Sequence, residues 1–174
     1  MVYLAIGCRA TVATVFALAV AGKVIGAGAF TEFTRSVIDM NAVPRRLALP
    51  AAWATVLTEG LTVVLVLIPL RSAGIVGCAL ALVLTAAFSS AIARSIRAGN
   101  QAACRCFGRS STPLRARHLV RNGLLLLMAL LGLVASSSGS SAAWSSALVS
   151  AVAGLFIGLA VAGFDEIAQL LAPV

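Results

Sequence analysis

Two cysteines separated by a single residue are the strongest chemical feature of the sequence. Cys104 and Cys106 stand in the segment Ala-Cys-Arg-Cys-Phe-Gly at 103–108, between two long apolar stretches. Cysteines at this spacing can close a small, strained disulfide ring, and strain makes a disulfide easier to reduce. Arg105, between them, favours the thiolate, which is the reactive form in disulfide exchange. The pattern, completed by Phe107 and Gly108, therefore indicates a redox-active dithiol.

The residues alone leave two other interpretations of this pair open. The thiols could be incidental, or they could form half of a metal site. A zinc site needs about four ligands, but the chain has one histidine, His118, and no second closely spaced cysteine pair. A metal would therefore require a partner or a second copy, and we predict none. We expect His118 at the membrane interface, beside Arg117 and Arg121.

The other two cysteines, Cys8 and Cys78, lie inside the first and third apolar stretches. Both fall toward the same end of helices that run in the same direction, so they are expected at similar depth. They could be small residues at helix contacts. The alternative is a second thiol pair with a redox role, in which Arg9 favours the thiolate of Cys8.

Glu59 is the one acid well inside an apolar stretch. A carboxylate is costly in lipid, so we expect it to face other helices and to be paired or protonated. Lys23 is the expected partner, and Thr55, Thr58 and Thr62 are expected donors to the carboxylate. The pair could pin two helices together, or Glu59 could serve as a proton site or as a polar group for a bound quinone or peptide.

The composition predicts that membrane helices position these residues. The chain of 174 residues is 61% hydrophobic and 10% charged, with a mean hydropathy of +1.07, whereas a soluble domain has about 25% charged residues. The lipid bilayer is therefore its main partner. The net charge is +8, but no aromatic residues interleave with the basic ones as single-stranded nucleic acid requires. We predict no nucleic-acid partner.

Five apolar stretches approach the roughly 20 residues that a membrane-spanning helix needs. They cover residues 3–27, 51–70, 72–93, 119–135 and 143–162. Pro69 predicts a tight turn between the second and third. Residues 28–41 place Phe30, Phe33, Val37 and Ile38 at helical spacing, which predicts a short amphipathic helix at the interface.

The predicted fold is therefore all-α: a bundle of four to five transmembrane helices with a short interfacial helix after the first span. We divide it into a four-helix core at 1–137 and, at 138–174, a linker with an additional C-terminal transmembrane helix. No basic residue precedes the first stretch, which favours a permanent span over a signal peptide.

The basic residues predict the orientation of the bundle. With five spans, the loops after the first and third spans share one side. Of the 13 basic residues, all but Arg9 and Arg71 belong to that side, and the positive-inside rule places it in the cytoplasm. Arg9 and Lys23 can extend to opposite headgroup layers.

Several of these elements, in this order, resemble the MauE/DoxX-like family of redox-associated bacterial membrane proteins. The resemblance covers roughly residues 5 to 135. The elements are Ala21-Gly22-Lys23, Phe33-Thr34-Arg35-Ser36-Val37 with Pro44 after it, Glu59-Gly60-Leu61, Cys104-Arg105-Cys106-Phe107-Gly108 and Arg121-Asn122.

The resemblance implies disulfide handling in a bacterial inner membrane. In that family MauE supports maturation of the cysteine-rich small subunit of methylamine dehydrogenase, beside a thioredoxin-like partner outside the membrane. The family's cysteine pair corresponds to Cys104 and Cys106, and its Lys and Glu correspond to Lys23 and Glu59. The chain would then be a thiol–disulfide oxidoreductase that exchanges reducing or oxidising equivalents with a thioredoxin-like partner and supports maturation of disulfide-containing proteins.

Two departures from the family pattern and one conflict remain. Arg105 stands where the family usually has glycine, and the family core usually has four spans rather than five. A cytoplasmic cysteine pair cannot meet an outside partner, so either the orientation is reversed or electrons cross the bundle. The alternative functions are a non-catalytic membrane scaffold for a redox or secretion partner, and a small proton-coupled transporter that uses Glu59.

Overall fold

The computed structural model describes residues 1–41, 43–99, 116–137 and 143–164. Within these ranges the chain forms six α-helices, joined in one place by a short 3-10 turn, and no strand. The helices are α1 (Val2–Val24), α2 (Ala29–Asp39), α3 (Ala48–Leu67), α4 (Arg71–Arg97), α5 (Ala116–Ser137) and α6 (Trp144–Ala162). All except α2 are long and apolar enough to cross a membrane. The predicted all-α, multi-pass membrane bundle is confirmed.

Glycine and proline set the helix boundaries that matter for the site. α1 ends three residues before the predicted limit, because Gly26 and Gly28 adopt φ angles of 121° and 84°, which suit glycine. α3 ends at Leu67 and α4 begins at Arg71. Pro69 lies between them, as the predicted tight turn requires. α4 continues to Arg97, beyond the predicted limit at residue 93.

Four helices form the bundle, with α1, α3, α4 and α5 each packed against two neighbours and α1 diagonal to α4. At one end, Arg9 near the start of α1 donates to the carbonyl of Val66 near the end of α3. At the same end, Arg71 at the start of α4 donates to the carbonyl of Ser137 at the end of α5. Neighbouring helices are therefore antiparallel. We call this the amino-terminal end, and we call the opposite end, where α1 and α4 finish and α3 and α5 start, the basic end.

The position of Arg9 corrects one prediction. Its guanidinium donates to the carbonyls of Val66, at 2.9 Å, and of Ile68 instead of extending to lipid headgroups. These carbonyls belong to the last turn of α3, where backbone acceptors lack helical partners and the helix dipole favours a cation. Both basic residues of the amino-terminal end, Arg9 and Arg71, thus bind the final carbonyls of a neighbouring helix.

The amphipathic helix α2 packs against the bundle at the basic end. Phe33 and Val37 are buried against Ala52 and Val56 of α3. The opposite face of α2 carries the exposed residues Glu32 and Arg35. The sequence predicted this helix and its apolar face, and the structure shows that Phe33 is buried against α3.

The last helix, α6, packs along α1 through small residues. A Cβ at Gly154 would lie 2.9 Å from the Cβ of Ala10, and one at Gly158 would lie 2.7 Å from the Cβ of Thr14. Thr11 donates through Oγ1 to the carbonyl of Gly154 at 3.0 Å. Small residues four positions apart allow membrane helices to approach closely, so the Gly154-x-x-x-Gly158 motif, which the sequence reading missed, fixes this contact.

Candidate functional site

The C-x-C element lies outside the described residues. Cys104, Arg105, Cys106, Phe107 and Gly108 all fall between the end of α4 at Arg97 and the start of α5 at Ala116. Both of these helix ends are at the basic end of the bundle. The two described helix ends that flank this segment, Arg97 and Ala116, therefore lie at the same end of the bundle.

A buried ion pair joins α1 to α3 near the basic end. The Nζ of Lys23 donates to both carboxylate oxygens of Glu59, at 2.8 and 2.9 Å, and a longer contact of 3.4 Å reaches the carbonyl of Ala19. The two side chains are 1% and 3% exposed. The structure thus brings together the lysine and glutamate that the sequence predicted to pair, and it corrects the expectation that Lys23 extends to the headgroups.

Aromatic rings from two further helices surround the ammonium group. The Nζ of Lys23 lies 5.0 Å from the ring centroid of Phe33 on α2 and 5.9 Å from that of Phe88 on α4. A cation over the face of an aromatic ring is stabilised by the ring quadrupole, and more so away from water. The site is therefore built by α1, α2, α3 and α4 together.

The threonines around Glu59 do not serve the carboxylate. Thr55, Thr58 and Thr62 donate through Oγ1 to the carbonyls four residues earlier in α3, at 2.9, 2.7 and 2.8 Å. This is the usual bond of a threonine inside a helix. The prediction that they hydrogen-bond Glu59 is wrong, since the backbone offers each hydroxyl a nearer acceptor.

A small cavity adjoins the ion pair on the side away from α2. Its volume is about 30 Å³, and its polar lining comes from Glu59, Thr85 and Asn122, with Phe16 and Leu125 among the apolar lining residues. A volume of this size holds about two water molecules. A quinone ring does not fit it, because pockets for such ligands begin at about 300 Å³.

The first turns of α5 carry a buried polar face, and the sequence did not predict the burial of these residues. His118, Arg121 and Asn122 are 1%, 3% and 4% exposed. His118 lies at the end of its span, as predicted, but its side chain is covered by protein. His118, Asn122 and Leu125 are spaced four and three residues apart, which places them on one face of the helix. Leu125 is buried, and this spacing was the available signal that His118 and Asn122 face the interior.

The two cysteines of the second pair lie against the same glycine in the amino-terminal half of the bundle. Cys8 and Cys78 are free and buried, and both lie against Gly132 of α5. A Cβ at Gly132 would be 3.1 Å from the Sγ of Cys78 and 3.2 Å from the Cβ of Cys8. Among the described residues, no three His, Cys, Asp or Glu side chains converge as metal ligands would.

Comparison with known families gives one result. Residues 1–135 match the family described as Methylamine utilisation protein MauE. The match extends from the first residue of the chain almost to the end of α5, and it includes Lys23, Glu59 and the C-x-C element, whereas α6 lies beyond it. The curated proteins and the solved structures that were compared include no match to this chain.

Proposed function

The chain belongs to the Methylamine utilisation protein MauE family, and we propose that it is a membrane thiol–disulfide redox protein. Cys104 and Cys106 exchange with the dithiol of a thioredoxin-like partner and so support the maturation of disulfide-containing proteins. The observation that carries the proposal is the family match, because it spans the C-x-C element together with Lys23 and Glu59. The predicted location of the protein in the bacterial inner membrane is part of the same proposal.

The exchange balances without a further reagent. The thiolate of one cysteine attacks a sulfur of the partner's disulfide, which forms a mixed disulfide and releases one partner thiolate. The second cysteine of the pair then attacks the mixed disulfide, forms the Cys104–Cys106 disulfide and releases the second partner sulfur, which takes up a proton. Two electrons have moved to the partner, and the reverse sequence moves them back.

The residues of the bundle that support this chemistry lie near its basic end. The buried Lys23–Glu59 pair ties α1 to α3 there, and Phe33 of α2 closes over the same lysine. The described helix ends that flank the cysteine segment, the end of α4 and the start of α5, lie at this end. Lys23 and Glu59 are thus supporting residues in the proposal, and Arg105, Phe107 and Gly108 shape the dithiol itself.

Trapping of a mixed disulfide tests the proposal. We expect each of the single variants, Cys104→Ser and Cys106→Ser, to lose activity. A mixed disulfide with the partner should accumulate, because the second thiol that would resolve it is missing. Cys8→Ser is the matched control for the adduct alone, because it removes a buried cysteine and leaves both thiols of the element in place to resolve the mixed disulfide. Non-reducing gels and mass spectrometry of membranes measure the adduct. Full activity of both single variants without an adduct would contradict the redox proposal and favour the scaffold.

The sidedness of the dithiol decides how a partner reaches it. Intact cells treated with a membrane-impermeant thiol reagent, before and after reduction, report whether Cys104 and Cys106 face outward. From the positive-inside rule we expect these two cysteines to be labelled only in permeabilised cells. Labelling of intact cells would reverse this orientation and remove the conflict with an outside partner.

The redox role of Cys8 and Cys78 stays a prediction. Their shared contact with Gly132 supports a pair of interacting thiols, and their burial keeps a protein partner from reaching them in this arrangement. The Cys8→Ser/Cys78→Ser double variant tests this redox role: a loss of exchange with a stable fold supports it, and full activity refutes it.

A further inference from the structure

We propose that the cavity beside Glu59 is a hydrated proton-exchange site, in which water bound by Glu59, Thr85 and Asn122 exchanges protons with the buried ion pair. The inference goes beyond the proposed function and depends on it only for the use of the protons. It stands on three features of the described residues: the cavity, the ion pair, and the polar face of α5.

The first feature is a group of three polar side chains in the otherwise apolar wall of the cavity. Three polar side chains, from α3, α4 and α5, face a space of about 30 Å³. An apolar cavity of this size stays dry, whereas a polar one with two to four hydrogen-bonding partners holds water. Glu59 supplies carboxylate acceptors, Thr85 a hydroxyl, and Asn122 both a donor and an acceptor. These groups satisfy the requirements of about two bound water molecules.

The second feature is that the ion pair can exist in two charge states. With both groups ionised, Lys23 and Glu59 are neutral as a pair, and their bidentate contact offsets part of the desolvation cost. When Glu59 takes up a proton, the ammonium loses its counter-charge. The rings of Phe33 and Phe88, 5.0 and 5.9 Å from Nζ, then still stabilise the cation.

The third feature is a polar connection from the cavity toward the basic end. Asn122 lines the cavity, and His118 lies one turn nearer the start of α5 on the same face. The buried charged or titratable groups near the basic end of the elements around Glu59 are Lys23 on α1 and His118 and Arg121 on α5. The buried thiols of Cys8 on α1 and Cys78 on α4 lie toward the amino-terminal end. The described charged residues of α2 and α4 are exposed. Protons can thus pass between the cavity and the end of the bundle where the cysteine connection begins.

This site has a use in the proposed exchange. Each attacking thiol must lose a proton, and each leaving sulfur gains one. A nearby site that accepts and returns one proton allows both steps without any net uptake. The proton is held on a carboxyl oxygen of Glu59, and no electrons move through the site.

Hydroxyl-radical footprinting of the full chain in detergent tests for the water. Phe16 lines the cavity, while Phe33 does not, although both rings are buried, with exposures of 6% and 1%. Radicals formed from bound water should oxidise Phe16 at least about threefold faster than Phe33. Asn122→Leu should lower oxidation of Phe16 to the level of Phe33, and Thr85→Val provides a second variant if the first one fails to fold. Equal oxidation of the two rings in the unmodified chain would refute the hydrated cavity.

Infrared spectroscopy tests for the proton. Acidification should produce a carboxylic-acid carbonyl band that shifts in D2O and is absent from Glu59→Gln, and Lys23→Met should show this band already at neutral pH. If no such band depends on Glu59, the proton-exchange site is refuted even when the water is present. Neither measurement uses the cysteines or a partner, so failure of this inference and failure of the redox proposal are distinguishable.

Discussion

Removing both members of the buried ion pair should destabilise the bundle by clearly less than the two single removals added together. The perturbation is a double-mutant cycle made of Lys23→Met, Glu59→Gln and the double variant. Both changes keep nearly the same side-chain volume and remove the charge. Glu32→Gln is the matched control, because it makes the same chemical change on the exposed face of α2.

The magnitude follows from the burial of the pair. Lys23 and Glu59 are 1% and 3% exposed, so either single change removes the buried partner of the remaining group. That group then stays charged without a counter-charge or changes its protonation at a cost in free energy. Breaking a buried pair in this way costs about 3–5 kcal/mol. The double variant leaves no buried charge, so its loss should be smaller than the sum of the two single losses by at least about 2 kcal/mol. The control should change the free energy of unfolding by less than about 0.5 kcal/mol.

The thiols of the chain itself provide the assay. In a Cys104→Ser/Cys106→Ser background, the only remaining cysteines are Cys8 and Cys78, both buried. A thiol-reactive fluorophore therefore reacts only when the bundle opens. Titration with sodium dodecyl sulfate in mixed micelles, followed by this reaction and by circular dichroism, gives the free energy of unfolding for each variant.

One result would refute the reasoning. If the losses of the two single variants add up to the loss of the double variant, the two charges do not stabilise each other. The buried contact between Lys23 and Glu59 would then contribute nothing specific to the stability of the bundle. A loss in Glu32→Gln as large as that in Glu59→Gln would show that burial is not the cause.

Two further predictions concern glycines and share Gly60→Val as control, since nothing lies within 4 Å of a Cβ at Gly60. Gly154→Val should detach α6 from α1, because its side chain would overlap the carbonyl oxygen of Gly7. The free energy of unfolding should fall by about 1–3 kcal/mol, measured by the same titration. Stability equal to that of the control would contradict this contact. Gly132→Val should push a side chain against the Sγ of Cys78, 3.1 Å from the added Cβ, and so raise the rate of thiol labelling in the folded state several-fold; an unchanged rate would show that the thiols do not meet at this glycine.

The sequence determined the number and position of the membrane helices. Each helix must bury its backbone polar groups in lipid and needs about 20 apolar residues in a row, which is a local property of the chain. The turn at Pro69 and the amphipathic pattern around Phe33 are local in the same way. The pairing of Lys23 with Glu59 was also predictable, because a charge inside an apolar stretch requires a partner and few partners exist.

Only the tertiary structure decided which face of each helix points inward. Lipid tails are as apolar as leucine, so hydrophobicity alone does not separate a lipid-facing position from an interior one. The sequence therefore did not predict that the side chain of His118 is buried, and it predicted the wrong hydrogen-bond acceptor for Thr55, Thr58 and Thr62. The cavity among Glu59, Thr85 and Asn122 depends on the rotation of three helices about their axes. That rotation is fixed by close packing at small residues and by buried hydrogen bonds, which act between segments far apart in the chain.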